Sequence, residues 1–141
     1  MNKLLTSLGL LFALLPLTNF TLALNNEPIT PLPTVVTVDN GKVALGRKLF
    51  FDTRLSADDS ISCASCHHLK EGGAEKTAVS TGIKGLTGER NAPTVYNAAY
   101  NFTQFWDGRS ESLAHQALQP ITNPVEMGMS SLDEAISKLN N

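Results

Sequence analysis

Two cysteines and a histidine fall within one pentapeptide, Cys63-Ala64-Ser65-Cys66-His67, and the chain has no other cysteine. Thiols three residues apart lie on one face of a helical turn, where they can anchor a flat porphyrin, and the next residue projects its imidazole over the porphyrin plane. This C-x-x-C-H spacing suits covalent haem, in which each thiol adds to a vinyl group and His67 binds the iron. Two other readings use the residues less fully. A Cys63–Cys66 disulfide or thioredoxin-like redox pair needs no His67 and usually accompanies a βαβ pattern, which this sequence lacks. A zinc centre needs four ligands; Cys63, Cys66 and one of His67 or His68 supply three, leaving only the distant His115. His68 follows the iron ligand directly and cannot easily reach the opposite face of the same metal.

The fate of the thiols depends on compartment, and the first residues read as an address. Lys3 gives a short positive start, Leu4 to Leu17 is almost wholly apolar, and Pro16 interrupts the run before spanning length. Thr21 and Ala23 place small residues three and one positions before a cut between Ala23 and Leu24. Residues 1–23 are therefore expected to be a cleaved signal peptide and 24–141 an exported, periplasmic domain, with an uncleaved anchor as the alternative. The whole chain has 141 residues, 42% hydrophobic and 17% charged, which suits one folded domain rather than a disordered chain or a coiled coil. With 11 Lys+Arg against 13 Asp+Glu, the net charge of −2 provides no basic field, so no nucleic-acid partner is expected.

The elements that must position the motif read as short helices between long loops. Pro28, Pro31 and Pro33 mark an extended lead. Asp39-Asn40-Gly41 starts a helix over Lys42 to Phe51, with Val43, Leu45, Leu49 and Phe50 on its buried side. Ser56 to Ser62 is a polar loop, Ser62 caps a haem-attachment helix through His68, and Gly72-Gly73 ends it. Thr81 to Asn91 is a glycine-rich loop expected to cross the haem edge; its spacing is not that of a nucleotide-binding turn. Pro93 opens a short helix through Asn97, Ser110 caps Glu111 to Gln119, and Pro120 stops that helix. Ser131-Leu132-Asp133-Glu134 reads as a capping box before a last helix with Leu132, Ile136 and Leu139 on one face. No sustained period-two alternation or internal repeat occurs. The expected fold is all-α, a haem domain of the cytochrome c kind.

Beyond that reading, the run Leu45-Gly46-Arg47-Lys48-Leu49-Phe50-Phe51-Asp52-Thr53-Arg54-Leu55-Ser56, then Ile61 to His67 and Gly72-Gly73-Ala74, resembles the N-terminal domain of bacterial di-haem cytochrome c peroxidases. Arg90-Asn91-Ala92-Pro93-Thr94, Phe105-Trp106-Asp107-Gly108-Arg109, Leu113 to Ala117, Pro120 and Glu126-Met127-Gly128 continue the likeness in order, over roughly residues 43 to 129. The resemblance implies reduction of hydrogen peroxide to water at a haem c held by Cys63, Cys66 and His67. It implies that Glu126 is the acid–base carboxylate, that Gln116 orients peroxide, and that Trp106 lies on the electron path between two haems. Asn91 would contribute to a calcium site between two domains. The implied partners are a small cytochrome c or cupredoxin as electron donor and, for the full-length family protein, a second copy in a homodimer. Without the resemblance, Glu126 is one solvated acid among thirteen, Trp106 a packed aromatic, Asn91 a turn residue and His115 a surface helix residue.

Two departures from the family pattern bear on mechanism. Counting from His67 through Gly72-Gly73-Ala74 places Ile83 where many members carry a displaceable histidine ligand, so the iron is expected to rest open to peroxide. The family is about twice this length and has a second C-x-x-C-H domain, so the chain reads as the N-terminal, peroxidatic half, with the second haem domain missing. The runner-up function is a single-haem electron carrier, with Met127 or Met129 as a thioether sixth ligand. A third reading is a protein-modifying di-haem oxidase of the same family.

Overall fold

The structure, a computed structural model, describes residues 31–141. The expected signal peptide and Pro28 lie outside these residues. Pro31 to Thr34, which belong to a separate unit, are exposed and non-helical. The unit from Val35 to Asn141 carries four α-helices: α1 over Asn40–Phe50, α2 over Cys63–Cys66, α3 over Leu113–Thr122 and α4 over Leu132–Leu139. Single 3₁₀ turns at Thr53–Leu55, Leu69–Glu71, Ile83–Gly85 and Ala98–Tyr100 punctuate the loops between them. Among the described residues there is no strand, only the isolated bridges His68 with Ala74, Thr81 with Thr87 and Gln104 with Ser110. The all-α expectation holds.

Each helix begins at a polar cap, though several ends depart from the sequence reading. Asp39 caps α1, its carboxylate accepting from the Lys42 N–H at 3.0 Å. The buried side expected for α1 is not there: Val43 is 53% and Leu45 57% exposed. Only the C-terminal end of α1 engages the domain, where Leu49 packs on the core and the Phe50 ring lies 6.4 Å from the His67 ring. No helix forms from Pro93 to Asn97; the turn comes later, at Ala98–Tyr100, after Asn97 adopts a left-handed conformation at φ +58°.

α3 starts and stops later than expected. Ser112, not Ser110, caps it by accepting from the His115 N–H at 3.2 Å. Ser110 is instead fully buried, between the Ser112 carbonyl (3.2 Å) and His115 Nδ1 (3.1 Å). Pro120 does not end the helix, because a proline in the last turn forfeits a single N–H bond and its fixed φ is helical. The α4 box is also rearranged. Ser131 Oγ accepts from the Glu134 N–H (3.1 Å), while the Glu134 carboxylate takes the Ser130 N–H (2.8 Å) and hydroxyl (2.6 Å).

The hydrophobic core is thin. Leu55, Met127, Met129 and Ala135 form it, with Leu49, Ile61, Ile121 and Leu139 packed around them. On α4, Ala135 and Leu139 therefore face inward while Ile136 stays exposed, which corrects the expected stripe. Lys138 latches this helix to the Ser56–Asp59 loop. Its ammonium donates to the Ser56 carbonyl at 2.7 Å and to the Ala57 carbonyl at 3.4 Å, and pairs with Asp59 at 2.7 Å. The same loop is tied to the core by the Ala57 N–H, which donates to the Met127 carbonyl at 2.8 Å.

Candidate functional site

α2 is a single turn, and its brevity sets the motif's geometry. The Ser62 N–H donates to Ser65 Oγ at 3.0 Å, and the His67 N–H closes the turn on the Cys63 carbonyl at 2.9 Å. The helix ends at Cys66 rather than running through His68, since His67 leaves helical space at φ −101°, ψ 81°. Both cysteines are half-buried free thiols. Burial raises the Cys63 thiol above its ordinary value. Cys66 is pushed up to about 11, by burial first and then by the negative charges of Glu75, Glu126 and Cys63.

His67 is oriented by the backbone. Its Nδ1 lies 3.0 Å from the Pro93 carbonyl and 3.3 Å from the Gly73 carbonyl, so Nδ1 carries the proton and donates to them. That fixes the tautomer, leaving the Nε2 lone pair for a metal; metal-binding histidines are commonly held this way. Two reduced thiols one turn apart, followed by an imidazole with a free Nε2, fit covalent haem attachment. Among the described residues no cluster of three or more His, Cys, Asp and Glu could hold a metal ion, and no disulfide joins the cysteines.

The glycine-rich loop and the Glu126 turn meet beside Cys66. The Cys66 thiol faces the Thr81 carbonyl at 3.8 Å, and the Ile83 N–H donates to the Glu126 carbonyl at 2.9 Å. A Cβ at Gly82 would overlap the Val125 carbonyl, so only glycine permits this approach. Ile83 itself is buried against Gly128, whose φ of +70° and lack of a side chain make room for it. Glu126 is half-buried, and burial raises its carboxyl above the ordinary range against the opposing pull of Arg109 and of a hydrogen bond from Asn123. Arg109 stacks over the Phe105 ring at 3.4 Å and pairs with Asp107 at 2.9 Å.

The remaining expected site residues are more scattered. Trp106 is 64% exposed, and its indole N–H donates to the Asn91 carbonyl at 3.0 Å, so these two meet. The Asn91 side-chain amide donates to the Glu75 carbonyl at 3.1 Å, leaving Oδ1 as its free ligand atom. Gln116 is half-buried on α3, and its side chain makes no hydrogen bond to another site residue among the described residues. Met127 and Met129, considered as iron ligands, are 4% and 2% exposed within the core cluster and pack there as apolar side chains. Two residues escaped the sequence reading: Asn123, which holds the Glu126 carboxylate, and Glu75, which has one buried carboxylate oxygen without a partner. Asn-Pro at 123–124 reads as a turn, and no local signal marks Glu75.

The chain is similar to known proteins over most of its length. A family model described as di-haem cytochrome c peroxidase matches residues 40–141. The chain is 51% identical over 114 residues to cytochrome c peroxidase Ccp of Escherichia coli, covering 81% of this chain and 24% of that protein. It is 41% identical to the methylamine utilization protein MauG of Methylorubrum extorquens, covering 77% of this chain and 31% of that one. The solved diheme peroxidase BthA of Burkholderia thailandensis aligns with a TM-score of 0.68 at 30% identity, over 75% of this chain and 31% of that chain. The matched region thus spans about a quarter to a third of the length of these relatives.

Proposed function

The chain belongs to the di-haem cytochrome c peroxidase family, and from that premise we propose that it is the peroxidatic, haem c-carrying part of an exported enzyme that reduces hydrogen peroxide to water. The observation that carries the reading is the His67 arrangement: a tautomer fixed by the Pro93 and Gly73 carbonyls, next to two free thiols one turn apart. Cys63 and Cys66 would hold haem c through thioethers, with His67 on the iron. When bound, that group supplies the metal that takes peroxide and the electrons that split its O–O bond.

The protein's own residues supply proton movement and orientation. Glu126, raised by burial, is poised to accept a proton from the near oxygen of peroxide and return it to the far one, so that water departs. Gln116 orients the peroxide. Ile83 has no ligand atom and is committed to packing with Gly128, which supports an iron open to peroxide without prior activation. Trp106 serves the electron path from a second haem domain of the family's kind, fed by a small cytochrome c or cupredoxin in the periplasm. Asn91 Oδ1 is the ligand this segment would give to an interdomain calcium.

The test is a peroxide pulse. Haem-loaded protein mixed with stoichiometric hydrogen peroxide should change its Soret band rapidly, and Glu126→Gln should slow that change by about 10²-fold. With a reduced small cytochrome, the segment alone should react once and then stall. Unchanged kinetics in Glu126→Gln would remove Glu126 from the reaction, and a methionine-to-iron charge-transfer band in the resting ferric protein would favour the electron carrier.

A further inference from the structure

Asn123 follows the last residue of α3 and belongs to none of the motifs that carry the family likeness. Its backbone ends the helix, its N–H reaching the Gln119 and Pro120 carbonyls at 3.1 and 3.2 Å, and its own carbonyl accepts from the Glu126 and Gly128 N–H groups at 3.1 and 2.8 Å. Its side chain does something different. Oδ1 accepts from the Val125 N–H at 3.0 Å, and the other end of the amide lies 2.8 Å from Glu126 Oε1. A backbone N–H cannot donate to an NH₂ group, so the Val125 bond decides which end of the amide is oxygen. Nδ2 therefore donates to Glu126 Oε1. No other hydrogen bond reaches this carboxylate among the described residues, so Oε2 is the oxygen left uncommitted.

We propose that Asn123 is the positioning residue of the acid–base carboxylate, holding Oε1 with a fixed N–H donor so that Oε2 is the oxygen that takes and returns the peroxide proton. This rests on the reading of Glu126 as the proton shuttle. A carboxylate free to rotate would offer either oxygen in many orientations, and a proton transfer tolerates little misplacement. Tethered at one oxygen and anchored by its own backbone, Glu126 has few orientations left. The surrounding titratable groups are Arg109, which favours the ionised form, and Cys66 on α2, on which both Glu126 and Glu75 act and which carries no charge once joined to haem. The Thr81–Ile83 segment and Ala57 bring no charge to this side.

Asn123→Asp separates positioning from loop order. An aspartate keeps the oxygen that receives the Val125 N–H but loses the donor and sets a like charge beside Glu126. Both changes favour protonated Glu126, and the two acids then titrate as a coupled pair. Two readouts apply to the haem-loaded chain: the pH profile of the peroxide reaction, and an infrared titration of the carboxyl band that Glu126→Gln removes. The expected result is a rise of about one pH unit or more in both midpoints, with a smaller rise in the same direction for Asn123→Ala. An infrared midpoint that stays at its wild-type value in Asn123→Asp overturns the proposal. Should that variant fail to fold, an unmoved midpoint in Asn123→Ala overturns it equally. If instead Glu126→Gln leaves the acid limb of the rate profile in place, the shuttle reading itself fails, and that outcome is distinct from an unmoved Asn123→Asp.

Discussion

At the scale of single residues, Glu126 sets the stability of the fold against the role proposed for it. Burial raises its carboxyl above the ordinary value of 4.5, and Arg109 and Asn123 only partly offset it. A carboxyl raised in the folded state contributes stability below its unfolded value that is lost as pH rises through the folded one. Ionised Glu126 therefore costs the fold at neutral pH. Glu126→Gln cannot ionise and keeps an oxygen for Asn123, so thermal melts should find it more stable than wild type near neutral pH. That advantage should vanish once the pH falls below about 4. A variant less stable at neutral pH would refute this balance. The same residue scale explains what the sequence could reveal. Cys63, Cys66 and His67 stand out in the sequence because covalent haem chemistry would fix residue type and spacing along the chain. Asn123 does not, because its side chain acts through space on a residue its own turn brings near.

At the scale of elements, the caps of the first and last helices were read well. The cap of α3 was placed two residues early, at Ser110 instead of Ser112, and ends were read poorly. Asp39 and Ser131 stand where a short polar side chain meets the first free N–H groups, a local signal. The end of α3 and the missing helix after Pro93 depended on tertiary partners: the Pro120 carbonyl is needed by the Met127 N–H, and the Pro93 carbonyl by His67. The buried side of α1 was misjudged for a related reason, since Val43 and Leu45 lie beyond the reach of a core that begins at Leu49. Contact between the glycine-rich loop and the Glu126 turn gives an element-level prediction. Gly82→Ala forces a methyl into the Val125 carbonyl and should destabilise the domain by about 2 kcal/mol or more. Gly88→Ala meets nothing closer than 3.8 Å and should stay within about 0.5 kcal/mol of wild type in denaturant melts. Equal losses for the two would mean that the loop does not seat on the Glu126 turn.

At the scale of the molecule, a thin core of Leu55, Met127, Met129 and Ala135 is supplemented by polar ties between distant segments. Fold class was legible from the absence of period-two alternation, whereas these ties join residues too far apart for any local pattern. The longest join α4 to the Thr53–Asp59 region: the Lys138 latch, and the Arg54 guanidinium at 3.4 Å from the Leu139 carbonyl. Lys138→Met removes a charged donor from two carbonyls and an ion pair, and stopped-flow unfolding should then quicken by about tenfold while refolding changes little. Slower refolding with unchanged unfolding would place the latch in the folding nucleus instead.

The Lys138 latch also sets an order of events in time. It bridges Lys138 and Ser56, 82 positions apart, so its formation must wait for the ends of a long loop to meet. A chain emerging N-terminus first presents Cys63 and Cys66 well before α4 exists to fasten the loop just upstream of them. Attachment of haem c at Cys63 and Cys66 would therefore take place on an open chain, before α4 fastens the loop upstream of the two thiols.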